Sequence, residues 1–107
     1  MIDYLDYLRK FYQSRYLKHK LADDDLARVT GGALELLAKV NMEEAEAIRL
    51  CYIYKRSRSF VADELGISQA TLYRRLTNGL WSIAEFLDER TLAAITDEVD
   101  RKLIENR

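Results

Sequence analysis

Residues 57–87 read SRSFVADELGISQATLYRRLTNGLWSIAEFL, and the pattern inside them decides the fold. Ser57 or Ser59 offers a hydroxyl to cap a first short helix that carries Phe60, Val61, Ala62 and Leu65. Gly66 follows where that helix needs a left-handed residue to end it, because glycine has no Cβ to clash there. Ile67 plugs the turn, and Ser68 stands at the next N-cap position. Leu72, Leu76 and Leu80 then recur along one face of a second helix. Helix, tight turn and helix predict a helix-turn-helix inside an all-α fold. The stripe continues through Ile83, Ala84 and Leu87, so the second helix is expected to reach about Asp88, with only its first ten or so residues free of the core.

The rest of the chain reads as support. Its 107 residues fit one domain with a modest core, and 49% apolar residues without a proline predict a compact helical domain of about five or six helices. Residues 1–40 form an N-terminal helical support, 41–88 hold the helix-turn-helix, and 91–107 form a C-terminal helix. Cys51 is the single cysteine, which excludes an internal disulfide and a cysteine-cluster metal site and fits a reducing cytoplasm. The opening MIDYLDYLRK lacks a secretory pattern, and no apolar run nears the ~20 residues a membrane span needs.

Net charge is −1, but its distribution is uneven. Residues 49–81 hold Arg49, Lys55, Arg56, Arg58, Arg74 and Arg75 against Asp63 and Glu64, a balance of +4. Residues 22–48 balance at −5 and residues 82–107 at −3. Positive charge therefore gathers where phosphates would lie.

Taken in order, residues 2–18 predict an amphipathic helix with Leu5, Leu8, Tyr12 and Tyr16 inward, its face widened by Tyr4, Tyr7 and Phe11. Arg9, Lys10, Arg15, Lys18 and Lys20 read as a solvated face, with phosphate contacts as the alternative, and His19 as a surface side chain. Asp23, Asp24 and Asp25 suit a helix start, where the macrodipole favours negative charge. Leu26, Val29, Ala33, Leu37 and Val40 keep a helical period that Gly31 and Gly32 interrupt, which leaves open a break after Thr30 or a close helix crossing. Asn41 and Glu44 resemble a capping box opening a helix through about Tyr54, with Ala45, Ile48, Leu50, Cys51, Ile53 and Tyr54 on its apolar side. Gly79 suits close packing and Trp81 an anchor between helices. Thr91 caps a last helix whose Leu92, Ile95, Val99 and Leu103 either pack on their own domain or pair with a second copy as a homodimer.

In a helix-turn-helix the second helix lies in the major groove with its N-terminal residues toward the base edges. With Leu72, Leu76 and Leu80 inward, Gln69, Ala70, Tyr73, Arg74 and Thr77 become the expected readers. Gln69 suits adenine, Arg74 guanine, and Ala70 a thymine methyl. Arg58, Ser68, Arg75 and Asn78 suit phosphates, which fix register without reading sequence.

The stretch is similar to the promoter-reading helix-turn-helix of bacterial sigma factors, region 4, with its S-x-x-x-[IV]-A-x-x-L-G-[IV]-S-x-x-[TS]-[VL]-x-x-R-L pattern. Ser57, Val61, Ala62, Leu65, Gly66, Ile67, Ser68, Thr71, Leu72, Arg75 and Leu76 match in register, and NMEEAEAIRLCYIYKR resembles the helix that leads into it. The resemblance spans about 45 residues, Asn41 to Leu87. It implies a groove-reading helix over 68–80, with Arg75 at a position that often contacts DNA. The length leaves no room for the sigma regions that hold core polymerase, so a complete sigma factor is not expected. Small phage regulators, such as the late-gene antitermination protein Q and ArpU-type activators, look closer in size.

These readings point to a phage or prophage transcription regulator, cytoplasmic and nucleoid-associated, with double-stranded DNA as partner and RNA polymerase as a further one. The alternative is a non-catalytic protein-interaction module, a phage-encoded inhibitor or adaptor that uses the same helices as scaffold. No catalytic set, metal site or cofactor motif assembles from the sequence.

Overall fold

The computed structural model describes residues 3–15 and 24–105. Among them six helices form: α1 (Tyr4–Arg15), α2 (Asp24–Val40), α3 (Met42–Ile48, prolonged by a π-helical turn over Arg49–Ile53), α4 (Arg58–Leu65), α5 (Gln69–Phe86) and α6 (Glu89–Glu105). No strand occurs among the described residues. Nor is any of their helices long and apolar enough to cross a membrane. The expectations on Tyr16, Lys18, His19, Lys20 and Asp23, on the side chains of Arg15, Asp24, Asp25 and Leu103, and on residues 106–107 lie outside what is described.

Local chemistry builds α4 and α5. Ser57 has extended backbone, and its Oγ accepts the Phe60 amide at 3.1 Å, so Ser57 and not Ser59 is the cap. Gly66 ends α4 at φ 67°, and the Ile67 amide reaches back to the Ala62 carbonyl at 3.0 Å, the bond that seals a glycine-terminated helix. Ser68 then caps α5 by accepting the Thr71 amide at 3.1 Å. The stripe of Leu72, Leu76, Leu80 and Ile83 is buried, which makes α5 the central strut against α1, α2, α3 and α4. Full burial of each such side chain is worth about 1.5–3 kcal/mol.

Gly79 lies at the closest approach of α5 to α2 and α3. A Cβ there would stand 2.7 Å from Ile48 Cδ1, 3.3 Å from Glu44 Cβ and 3.4 Å from Leu37 Cδ2, the close packing expected of it. The glycines of α2 behave otherwise, because the helix runs unbroken from Asp24 to Val40 and a Cβ on Gly32 would meet open space. Neither a break after Thr30 nor a crossing at Gly32 is found. The inward face of α2 is also rotated from the expected one. Leu26, Thr30, Ala33, Leu34 and Leu37 are buried, while Val29 and Val40 are 44% and 67% exposed. Burying Thr30 is possible because its hydroxyl donates to the Leu26 carbonyl at 2.8 Å, while its own carbonyl accepts the buried Tyr12 hydroxyl at 2.8 Å.

Asn41 caps α3 through the Glu44 amide at 3.1 Å, but its own amide donates to Leu37 at 2.6 Å, so the backbone takes the reciprocal half of the box. The π-helical turn then shifts the register: the Tyr54 amide bonds Arg49 and the Arg56 amide bonds Leu50. Of the expected apolar side, Ala45, Ile48 and Cys51 are buried and Leu50 and Ile53 pack against the core, while Tyr54 turns outward at 61% exposure and Tyr52 turns inward.

Asp88, rather than Thr91, caps α6, since its carboxylate accepts the Thr91 amide at 2.8 Å and that bond holds its pKa below the ordinary range. Leu92, Ile95 and Val99 are buried within their own chain, where α6 packs on α1 and touches α2. Tyr7 fastens the same contact by donating its hydroxyl to Asp100 at 2.8 Å.

Candidate nucleic-acid interface

The first ten residues of α5 present the candidate face. Leu72 and Leu76 fix the helix rotation, which leaves Gln69, Ala70, Tyr73, Arg74 and Asn78 exposed and Thr77 half-buried. Arg74 makes no ion pair among the described residues, so its planar fork is available to a base edge or a phosphate. Gln69 is already oriented, because its Nε2 donates to Ser59 Oγ at 3.1 Å and ties the start of α5 to the start of α4. Reading a base would exchange that bond. Ser68 is committed to its cap, accepting the Thr71 amide and donating to the Thr71 hydroxyl at 3.0 Å.

Arg75, expected as a phosphate ligand, has a partner within its own chain. Its guanidinium turns back to α3 and meets the Glu43 carboxylate at 2.7 Å, with 23% of the side chain exposed. The adjacent Glu44 carboxyl is pushed above the ordinary range by burial and by Glu43, and Arg75 partly offsets this. One position along a helix is a 100° turn, and that separates an outward Arg74 from an Arg75 bound to its own scaffold.

Arg58, at the first position of α4, is exposed. Tyr52 itself is buried, which raises its pKa, and Arg58 and Arg9 both oppose the rise. These residues border a cleft of about 300 Å³ beside the candidate face, lined by Arg9, Tyr52, Arg58, Tyr73 and Thr77 together with Asp3 and Asp6. Sequence reasoning places Arg9 on a solvated face, with phosphate contact as the alternative, and passes over Tyr52. The faint signal for Tyr52 was its place in the run before Arg58, and only the π-helical turn aims it here.

The far half of α5 has a different surface. Trp81 is 57% exposed and is not the interhelical anchor its type suggests. It lines a groove of about 560 Å³ with Tyr4, Leu5, Ala84 and Leu92, while Asp3 and Glu85 stand at the edges. Cys51 is buried, and burial pushes its thiol up against the opposing pull of Arg58, so it lacks thiolate character. Among the described residues no three His, Cys, Asp or Glu side chains gather to hold a metal ion.

Comparison with known proteins finds no matching family model, no matching curated protein and no matching solved structure.

Proposed function

We propose that this chain is a DNA-binding transcription regulator of the phage or prophage type, which reads the major groove with the first part of α5. One observation carries the reading: the outward face from Gln69 to Asn78 is polar and basic, with Arg74 free of ion pairs among the described residues, directly after a capped and sealed turn. The local balance of +4 in residues 49–81 and the similarity of residues 57–76 to sigma region 4 support it. Arg74, Gln69 and Ala70 meet base edges in this reading, with Tyr73 and Thr77 beside them, while Arg58 and Asn78 hold phosphates. The chain works in the cytoplasm at the nucleoid, and RNA polymerase is its natural protein partner. Polarisation titration with genome-derived DNA should show salt-sensitive binding that Arg74→Ala and Gln69→Ala each weaken by ~1–3 kcal/mol. Absence of binding at low salt, or indifference to both substitutions, would overturn it.

A second reading, a non-catalytic interaction module, is favoured by the groove around Trp81. An apolar groove edged by Asp3 and Glu85 suits a partner helix with aliphatic side chains and flanking Lys or Arg. Trp81→Ala should then abolish capture of one stoichiometric partner while Arg74→Ala leaves it intact.

A further inference from the structure

The far half of α5 carries a surface that the reading face does not use. Trp81 and Glu85 stand one turn apart on that helix, so the indole and the carboxylate share one ridge. Ala84 lies beside them, and its small side chain leaves open a groove of about 560 Å³. Tyr4 and Leu5 of α1, the buried Leu92 of α6, and Asp3 just before α1 complete the lining. The lining thus holds two carboxylates and no cation. Neither Asp3 nor Glu85 makes an ion pair among the described residues. Asp3 Oδ1 caps α1 by accepting the Leu5 and Asp6 amides at 3.1 and 3.2 Å, so one wall of the groove is held in place. The indole remains 57% exposed.

We propose that this groove binds a small hydrophobic organic cation, an apolar ring carrying an ammonium group. The assignment goes beyond both readings of function and depends on neither. Charge disfavours anions, because the charged groups of the lining are both acidic and nothing in the groove offsets them. The exposed face of an indole attracts a cation through its quadrupole, and Glu85, one turn along the same ridge, adds an ion pair to the same ammonium. Tyr4, Leu5, Ala84 and Leu92 take the apolar body. Size favours a small molecule. The volume of about 560 Å³ lies in the range of roughly 300–1,000 Å³ that small-molecule sites occupy. A helix about 10 Å across fills the same volume in roughly five residues, so a docking helix places only its side chains there while a small molecule enters whole.

The test is a fluorescence titration of the full chain without DNA. Trp81 is the single tryptophan, so its emission reports on this groove. Phenethylammonium, phenethyl alcohol and phenylacetate share a phenyl body and differ in charge. The ammonium should shift the emission saturably, with an affinity about tenfold above that of the alcohol, the combined worth of one exposed ion pair and one cation-to-ring contact. Phenylacetate should give no saturable change. Asp3→Asn together with Glu85→Gln should bring the ammonium to within about twofold of the alcohol and leave the alcohol unchanged. Asn caps a helix as well as Asp, and Glu85 is exposed, so this variant keeps the fold, which circular dichroism checks. Ala84→Leu, which fills the groove, should weaken ammonium and alcohol alike by about tenfold. If Ala84→Leu does not fold, the charge variant decides. No saturable shift with the ammonium, equal affinities in wild type, an ammonium preference that survives the charge variant, or unchanged binding in a folded Ala84→Leu each overturn the site. A shift with a Leu- and Lys-rich amphipathic peptide but none with the ammonium overturns it in favour of a protein-docking surface. Emission that moves with protein concentration alone overturns it in favour of a second copy. No DNA enters the titration, so failure here leaves the DNA reading standing, and failure to bind DNA leaves the ligand site standing.

Discussion

Helices α2 and α5 are almost equal in length, 17 and 18 residues, and both carry glycine well inside, Gly31 and Gly32 in α2 and Gly79 in α5. Their surroundings are opposite. A Cβ on Gly79 would collide with Ile48 and press on Glu44 and Leu37, while one on Gly32 would meet nothing. The outward faces differ too: α2 shows Val29, Leu36 and Val40, and the first half of α5 shows Ala70, Arg74 and Asn78. In α5 the glycine lets the helix sink onto α3, so that its buried side packs closely. In α2 a Cβ on Gly32 would meet nothing within 4 Å, so this position sets no contact among the described residues.

The sharpest way to break this contrast is to fill Gly79. Gly79→Val should destabilise the fold by about 3 kcal/mol, since a branched side chain has to displace the buried Ile48 in a close crossing. Gly79→Ala sets two terms against each other: about 1 kcal/mol gained in helix propensity and roughly 1–3 kcal/mol lost to overpacking. Urea denaturation measures both, as a shift of midpoint at constant slope. A valine variant as stable as wild type would mean that α5 and α3 are not in close contact at this point.

On the other face of α5 the contrast becomes functional. Arg74→Ala should weaken DNA binding by ~1–3 kcal/mol and change stability by less than about 0.5 kcal/mol, as expected for an exposed cation with no ion pair among the described residues. Arg75→Ala should leave DNA affinity nearly unchanged. Its effect falls on Glu44, whose carboxyl is raised by burial and restrained by Arg75. A raised carboxyl pKa means that the folded state holds its proton more tightly than the unfolded chain. That contribution is fully present below the unfolded value of about 4.3 and is lost as pH rises through the folded value. Removing Arg75 raises the folded value further, so the variant should lose stability relative to wild type as pH climbs from about 4 toward neutrality. Equal pH profiles for the two proteins would detach Arg75 from Glu44.

What the sequence made legible follows the range of the interactions involved. Ser57, Gly66, Ser68 and Asn41 were readable because a cap or a left-handed terminator is decided within four residues. Gln69, Ala70, Tyr73, Arg74 and Asn78 followed from the leucine stripe alone, since an anchored helix has only one outward face. Tyr52, Tyr54 and Trp81 were not legible. A π-helical turn reverses the two tyrosines, and whether an indole becomes an anchor depends on how closely α1 and α6 approach it. Arg75 belongs to the same class, because its partner Glu43 is set by which helix lies opposite it. The candidate site was thus readable where it belongs to one helix and hidden where α1 and α3 contribute.

The smallest effect tests the other glycine. Gly32→Ala should stabilise the fold by about 0.5–1 kcal/mol, because alanine removes unfolded-state freedom and favours the helix without meeting an atom within 4 Å. The gain should add to the effect of any change on the outer face of α5, since the two sites share no partner, and DNA affinity should stay at the wild-type value. A loss of stability here would mean that something covers the Val29, Leu36 and Val40 face in solution. The same substitution is therefore a cheap probe of whether that apolar surface is free: a gain keeps α2 as inert support, and a loss turns it into a contact that the isolated fold does not contain.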